Sequence, residues 1–393
     1  MNPRPTYHDT PHPPPLPPVA YVPLDDRRPN ASAIPAVSFF SGAGGMDLGF
    51  HYAGFDNRAA VEHNPVFCAT LRRNNPHQLV LGAPDYSGDV RNFEEISQAL
   101  TARLGIAKPF EGVFHGGPPC QSFSMAANQR FAKGDDNFKR VGFAHSEYGN
   151  LLHDYLKLVA AFLPRVFVIE NVPGLKQMDG GQQLAEALAP MLVLGYCIAP
   201  PTVLNAADYG VPQFRQRLFV VGVRNGPEFV FPPHSRPRIP CHAALLRPLA
   251  GVANHETRDH KPESVERYAR LHYGQRDQLG RVDRLDPFRP SKTVIAGGLK
   301  GGGRSHLHPF EPRTLSARES ARLQTFPDTY VFTGPSARQF TQIGNAVPPL
   351  LAFGVATAIR EQVFEGQTKP VTRPTQQLEL TLQEAAARYE VAA

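Results

Sequence analysis

The sequence contains little cysteine, no tryptophan and no long apolar run. Its four cysteines, Cys68, Cys120, Cys197 and Cys241, form no CxxC pair, which argues against a disulfide framework and against a zinc site. No apolar run approaches the roughly 20 residues that a membrane-spanning helix requires. The proline-rich N-terminus lacks the apolar core of a signal peptide. We therefore expect a cytoplasmic protein with no membrane association and no bound metal.

The sequence also has no strong excess of one charge. It carries 41 Lys and Arg against 35 Asp and Glu, a net charge of +6. Such a charge is compatible with a polyanionic partner but does not demand one. Proline, in contrast, is abundant, with 40 residues in a chain of 393.

Strand-like and helix-like segments alternate over the first half of the chain. The predicted strands include AVSFF (36–40), RAAVE (58–62), EGVFH (111–115), RVFVIENV (165–172) and RLFVVGVR (217–224). Strands that alternate with helices predict a doubly wound, mostly parallel α/β sheet of the Rossmann-like type. The predicted segments are a disordered Pro-rich leader (1–35), an α/β core (36–224), a small second region (225–305), a part that returns to the core (306–365) and a polar tail (366–393).

Five polar or glycine-rich segments follow the predicted strands. They are SGAGG (41–45), Glu62, Asp89, GGPPC (116–120) and Glu170-Asn171. Ligands bind outside the carboxyl ends of the strands in such sheets. We therefore expect these segments to meet at one edge of the sheet and to form a site there.

The glycine-rich turn suits a nucleoside cofactor. Gly42, Gly44 and Gly45 allow the backbone to approach a ligand, and the helix that follows offers free N–H groups. Glu62 could bind ribose hydroxyls and Asp89 an adenine amino group. Each feature alone is better explained by a tight turn or a surface acid, but the three in this order favour a nucleoside cofactor.

Cys120 lies in a stiff corner, GGPPCQSFS, directly after a predicted strand. A cysteine is most often a small buried apolar residue, and a reactive thiolate requires a polar or charged partner. The charged candidates are Glu170 and the arginines of QFRQR. Period-two spacing would put Gln213, Arg215 and Arg217 on one face of an extended segment, facing an anion or forming a structural salt bridge.

Six segments, in this order, resemble the motifs of the C5-cytosine DNA methyltransferase family. They are FSGAGGMDLGF, GGPPCQSFS, IENVPGL, VPQFRQRLFVVG, RTLSARESARLQTFPD and QIGNAVPPLLA. The resemblance covers about residues 36 to 362. Two features depart from the family. SEYGN (146–150) lacks the arginine that the family has at this place, and the region that the resemblance implies for target recognition (225–305) is short.

The resemblance implies a role for each matching residue. Cys120 would attack C6 of a flipped-out cytosine, Glu170 would hold its N3 and amino group, and Arg217 would bind near its O2. Arg215 would support this catalytic site. The implied substrate-binding residues are Asn171, Gln213, Ser124 and Arg130.

The resemblance also implies S-adenosylmethionine as cofactor, leaving as S-adenosylhomocysteine. The implied cofactor-binding residues are Phe40, Gly42, Gly44, Gly45, Glu62, Asp89, Pro118, Leu151 and Asn345. The implied partner is double-stranded DNA, over which residues 121–146 would close. The enzyme would act as a monomer, either alone or with a restriction endonuclease that shares its site without direct contact.

Three alternatives remain open at this stage. A tRNA cytosine-5 methyltransferase would have the same fold, and a catalytically idle relative would bind nucleic acid only. A dinucleotide-dependent oxidoreductase would explain the glycine-rich turn but not the other motifs.

Overall fold

The computed structural model describes residue 16 and residues 18–27, 34–119, 151–233, 237–296 and 305–367. The strands of the larger sheet are β1 (Ile34–Phe39), β2 (Phe55–Val61), β3 (Leu79–Leu81), β4 (Val113–Gly116), β5 (Val166–Asn171), β6 (Tyr196–Ile198), β7 (Thr202–Asn205) and β8 (Gln216–Arg224). The strands of the smaller sheet are β9 (Arg276–Asp277), β10 (Val282–Arg284) and β11 (His306–Leu307). The helices are α1 (Gly45–Tyr52), α2 (Pro65–Asn74), α3 (Phe93–Leu104), α4 (Leu151–Phe162), α5 (Gly174–Gln177), α6 (Gln182–Val193), α7 (His242–Leu245), α8 (Pro262–Ala269), α9 (Ala317–Leu323), α10 (Ser336–Asn345) and α11 (Pro349–Ile359).

The larger sheet has the predicted doubly wound architecture. Its strand order is β3-β2-β1-β4-β5-β8-β6, and β7 pairs with β8 as well. The first five strands are parallel, whereas β8 runs antiparallel to β5. The winding reverses between β1 and β4, which is where such sheets open a crevice for ligands. The prediction of a mostly parallel, Rossmann-like sheet is confirmed.

Apolar layers cover both faces of this sheet. One layer joins Phe50 of α1 to Leu351 and Val355 of α11. The other joins Leu100 of α3 to residues of α4 and α6, including Leu188. The chain therefore builds its core from both ends, since α11 packs on the first helix of the fold.

The C-terminal segment QIGNAVPPLLAFGVATAIREQVF is divided between α10 and α11. Ala346, after the last residue of α10, has extended backbone angles (φ −62°, ψ 148°), and Pro348 and Pro349 follow. Proline lacks the N–H that would continue a helix. The stretch Ser336–Phe364 has the length and apolar composition of a membrane span, but 78% of its apolar window is buried inside the protein.

Part of the predicted leader is also structured. The side chain of Leu24 is 1% exposed and belongs to the core. The Asp25 carboxylate accepts a hydrogen bond from the Asp328 amide (3.0 Å) and pairs with Arg247 (3.3 Å). The prediction of disorder over residues 1–35 therefore does not hold for residues 18–27, and β1 already begins at Ile34.

Helix α9 attaches the small region to the core. Its Arg318 donates to the carbonyl of Ala253 (2.9 Å), and its Arg322 donates to the carbonyls of Arg247 and Pro248 (both 2.7 Å). These guanidinium groups are buried, so the carbonyls replace their lost water. The third strand of the small sheet, β11, lies one residue beyond our predicted boundary at 305.

His115, in the middle of β4, is a buried histidine. Its side chain is fully buried, and its ring stacks on Phe50 at a centroid distance of 4.1 Å. Within the described residues, neither ring nitrogen has a hydrogen-bond partner. Burial lowers the pKa of His115 to about 3, so the imidazole is neutral in the folded protein at physiological pH.

This burial predicts a loss of stability in acid. Below about pH 6.5, His115 binds a proton in the unfolded chain but stays neutral in the folded protein. The free energy of unfolding therefore falls as the pH drops from 6.5 towards 3, by up to about 1.4 kcal/mol per pH unit. His115→Leu cannot titrate and should lose less free energy of unfolding between pH 7 and pH 5 than the wild type. Urea titrations at the two pH values measure this difference.

The exposed His77 provides the control, because His77→Leu should leave the wild-type pH dependence unchanged. The same pH dependence in wild type and His115→Leu would contradict the assignment.

Candidate active site

The glycine-rich turn after β1 is held by a carboxylate. Glu62 lies at the end of the neighbouring strand β2 and is 8% exposed. One of its oxygens accepts from the Gly42 amide and the other from the Asn64 amide, both at 2.7 Å. Burial raises the pKa of Glu62, and these amides oppose the shift. The predicted convergence of the turn and Glu62 is present.

Packing also requires glycine in this turn. Gly44 has a left-handed backbone (φ +73°), and a Cβ there would lie 2.8 Å from the Tyr330 hydroxyl. A Cβ on Gly45 would lie 2.3 Å from the carbonyl oxygen of Val347. The segment before α11 therefore presses directly against the first turn of α1. Gly42 differs, because a Cβ there would meet no atom closer than 4.0 Å.

Asp89 lies in the loop between β3 and α3, not at a strand end as we expected. The loop still reaches the site, because a Cβ on Gly88 would lie 2.0 Å from the carbonyl oxygen of Glu62. The Asp89 carboxylate accepts from the Arg91 side chain at 2.5 to 3.0 Å. This bond lowers the pKa of Asp89.

The Gly-Gly-Pro-Pro corner after β4 contacts the end of β5. A Cβ on Gly117 would lie 2.8 Å from a carboxylate oxygen of Glu170, so glycine leaves room for that group. The side-chain amide of Asn171 donates to the carbonyl of Pro118 (3.2 Å). The corner that leads to Cys120 is therefore fixed beside Glu170.

Glu170 forms an ion pair with Arg217, which lies on the neighbouring antiparallel strand β8. Their N–O distance is 2.8 Å, and both side chains are largely buried. Burial raises the pKa of Glu170, while the positive charges of Arg217 and Arg215 oppose the shift. Burial and the neighbouring guanidinium groups therefore act in opposite directions on the pKa of this carboxyl group.

Gln213 and Arg215 bind the backbone of other segments. Arg215 donates to the carbonyls of Val294 (3.0 Å) and Gly344 (2.7 Å). Gln213 accepts from the Val294 amide (2.9 Å) and donates to the Gln324 side chain (2.9 Å). The three residues of QxRxR thus have two roles. Arg217 pairs with Glu170, whereas Gln213 and Arg215 connect this segment to distant parts of the chain.

The remaining predicted residues are placed as follows. Phe40 and Leu151 pack in the same apolar layer, below the strand ends. Asn345 is exposed at the end of α10, next to Gly344. Cys120, Ser124 and Arg130 lie outside the described residues.

Two supporting residues were not predicted from the sequence. The Tyr330 hydroxyl donates to the carbonyl of Ala43 (2.7 Å) and so fixes the glycine-rich turn. Gln324 is fully buried and donates to the carbonyl of Ile343 (2.7 Å). Both lie in or just after RTLSARESARLQTFPD, and no local pattern shows which distant carbonyl they bind.

The chain was compared with known proteins. The profile of the family described as C-5 cytosine-specific DNA methylase matches residues 34–361. The chain belongs to this family. The predicted activity of a DNA (cytosine-5) methyltransferase is thereby confirmed.

Several bacterial methylases are similar over most of their length. The type II methyltransferase M1.HphI of Haemophilus parahaemolyticus is 33% identical over 344 residues, covering 82% of this chain and 86% of that protein. M.NgoFVII of Neisseria gonorrhoeae is 32% identical, covering 80% and 83%.

Solved structures share the fold. A DNA modification methyltransferase encoded within an Escherichia coli prophage superposes with a TM-score of 0.68 at 26% identity, covering 85% of this chain and all of that chain. The Dnmt2 methyltransferase of S. pombe, at 14% identity and a TM-score of 0.57, supports the fold alone.

The different roles of the two arginines can be tested in this methylase. Arg215→Ala leaves the carbonyls of Val294 and Gly344 without their donor and should cost about 2 to 5 kcal/mol of stability. Arg217→Ala should lose less stability, because its carboxylate partner can take up a proton. Thermal melting of the two variants measures the contrast.

Equal melting temperatures for the two variants would contradict the structural role of Arg215. Arg215→Lys is the matched control: it keeps the charge but cannot reach two carbonyls with one planar group, so it should recover part of the loss.

Proposed function

We propose that this methylase transfers a methyl group from S-adenosylmethionine to C5 of a flipped-out cytosine in duplex DNA, with Cys120 as the nucleophile. The observation that carries the proposal is the buried Glu170–Arg217 pair against the Gly-Gly-Pro-Pro corner. That corner ends one residue before Cys120. A thiol, a carboxyl group and a guanidinium group would then surround one base.

The reaction begins at C6 of the cytosine. The Cys120 thiolate forms a bond to C6 while N3 of the ring gains a proton, which moves the electron pair of the C5–C6 double bond to C5. C5 is then nucleophilic and takes the methyl group. Water then takes the C5 proton, the bond between C6 and the Cys120 sulfur breaks to release the thiolate, and N3 returns its proton to Glu170, which restores the aromatic ring. The base must leave the duplex because neither of its faces is accessible within the stack.

Glu170 is suited to the proton on N3. Its raised pKa keeps the proton available at higher pH than an ordinary carboxyl group would. Arg217, 2.8 Å from the carboxylate, holds it in place and can also donate to the O2 of the base. The two side chains thus bind the edge of a cytosine and favour its protonated form.

The glycine-rich turn fits S-adenosylmethionine, which supplies an electrophilic methyl group when bound. Among the described residues, the nearest atom to a Cβ on Gly42 would be the Phe40 carbonyl oxygen at 4.0 Å, so the lack of a side chain leaves room for a ligand. Glu62 fixes the turn through the Gly42 amide, is itself held by the Asn64 amide, and can accept a further bond from a ribose hydroxyl on each oxygen. Asp89, next to the Gly88 contact with Glu62, would accept from the adenine amino group.

The remaining parts of the proposal concern the partner and the biological role. Residues 225–305 would bind the target sequence in duplex DNA, and residues 121–146 would close over it. The relatives named type II methyltransferases support a modification enzyme, acting as a monomer with or without a restriction endonuclease of the same specificity.

Cys120→Ser should abolish methyl transfer, because a serine hydroxyl is a far weaker nucleophile than a thiolate at neutral pH. The wild type should also form a covalent adduct with duplex DNA that contains 5-fluorocytosine, since fluorine cannot leave as the C5 proton does. Denaturing gels detect the adduct, and bisulfite sequencing detects methylation. The proposal fails if wild-type protein forms no adduct on mixed-sequence DNA.

Glu170→Gln should lower the rate of methyl transfer by roughly 100- to 10,000-fold, because an amide cannot supply a proton to N3. Binding of S-adenosylmethionine should be unchanged, since Glu170 lies at the end of β5 and the glycine-rich turn follows β1. Single-turnover kinetics and calorimetry measure the two effects. A rate within tenfold of the wild type would remove Glu170 from the chemistry.

A further inference from the structure

The hairpin formed by β9 and β10 has an exposed tip of four residues, Gln278, Leu279, Gly280 and Arg281. Leu279 is 78% exposed, the highest value among the large apolar residues that the structure describes. Leucine, glutamine and arginine can all bind base edges: arginine pairs with guanine, glutamine with adenine, and an apolar side chain packs on the thymine methyl group. Leu279 lies between Gln278 and Arg281 at the tip, so the hairpin presents apolar and hydrogen-bonding side chains together.

Two acids of the surrounding segment are buried, a third (Asp286) is partly buried, and four of its cations are exposed. Asp277 and Asp283 are 6% and 5% exposed. The exposed residues of the segment include a series of cations: Arg276, Arg281, Arg289 and Lys292. Asp283 pairs with both Arg276 and Lys292 at 2.8 Å, so one negative charge is shared by two positive ones. The outer surface of the hairpin therefore presents positive charge, which complements a phosphate backbone.

The tip is held rigidly. The Asp277 carboxylate accepts from the Gly280 amide across the turn (2.5 Å) and pairs with Arg267 of α8 (3.3 Å). Arg281 adopts a left-handed backbone (φ +53°), which turns the chain back into β10. A rigid tip loses little conformational entropy when it binds.

The hairpin is also anchored next to the active site. Lys292, which pairs with Asp283, follows Ser291, and Ser291 forms a backbone bridge with Gln213. Gln213 begins the QxRxR segment that carries Arg217. A duplex whose cytosine reaches Glu170 and Arg217 would thus lie close to the strand that supports the hairpin.

Helix α8 in the same region has a different surface. Its exposed residues include Glu263 and Glu266, and Glu266 pairs with the exposed Arg270. Acidic side chains on an outer face would repel phosphates, so this helix is poorly suited to enter a groove.

We propose that the 278–281 tip, and not α8, enters the major groove of duplex DNA and contacts the bases beside the target cytosine. A two-stranded ribbon is narrow enough for that groove. The inference rests on the proposed function, because it specifies which element recognises the DNA substrate. Gln278 and Arg281 would bind base edges, and Leu279 would pack against them.

The absence of tryptophan from the chain makes a direct test possible. Leu279→Trp and Val265→Trp each introduce a single tryptophan, at the hairpin tip and at an exposed position of α8. On addition of a duplex that the wild type methylates, the emission of Leu279→Trp should shift or be quenched, while that of Val265→Trp should not change. A response from Val265→Trp alone, from both variants or from neither would overturn the proposal.

Binding measurements provide a second test that does not depend on fluorescence. Arg281→Ala should raise the Kd for an unmethylated duplex that the wild type methylates by roughly 5- to 150-fold. It should also relax the target-sequence pattern seen by bisulfite sequencing. The matched control, Lys261→Ala beside α8, should keep the wild-type sequence pattern. If the wild type methylates DNA but Arg281→Ala, like the Lys261→Ala control, retains the wild-type Kd and sequence pattern, this inference fails and the proposed function stands. If the wild type methylates no DNA, the proposed function itself fails.

Discussion

The antiparallel pairing of β8 with β5 is the constraint on which the active site depends. It places Glu170 and Arg217 on adjacent strands, where they form a buried ion pair. It also fixes the direction in which the preceding residues leave the sheet, so that Arg215 and Gln213 reach the segment around Val294. The Glu170–Arg217 ion pair and the anchoring of the small region therefore follow from one strand pair. A parallel β8 would begin at the opposite edge of the sheet and would separate Arg217 from Glu170.

The features predicted best from the sequence are those that depend on strand ends. Alternating strands and helices indicated the parallel sheet, and the carboxyl ends of its strands brought the glycine-rich turn to Glu62 and Gly117 to Glu170. Such predictions need only the order of the elements, because the chain direction of parallel strands decides where their ends meet. The short segments β3, β6 and β7 were missed, whereas β4, which also has only four residues, was found as the apolar run before GGPPC.

The contacts between distant segments could not be predicted. Arg215 binds the Val294 carbonyl 79 residues away and the Gly344 carbonyl 129 residues away, and every residue type offers the same carbonyl. The period-two pattern therefore suggested a shared face for Gln213, Arg215 and Arg217, whereas the structure gives them different partners. Tyr330 is a similar case, because its bond to Ala43 depends on the path of the C-terminal segment.

The close contact between Gly45 and Val347 has a consequence for synthesis of the protein on the ribosome. The glycine-rich turn is translated early, but the backbone that packs against it emerges about 300 residues later. A nascent chain that already contains β1 and β2 therefore lacks the backbone that packs against Gly45 until the segment around Val347 has left the exit tunnel. A chain that stops before this segment cannot complete the packing around the glycine-rich turn.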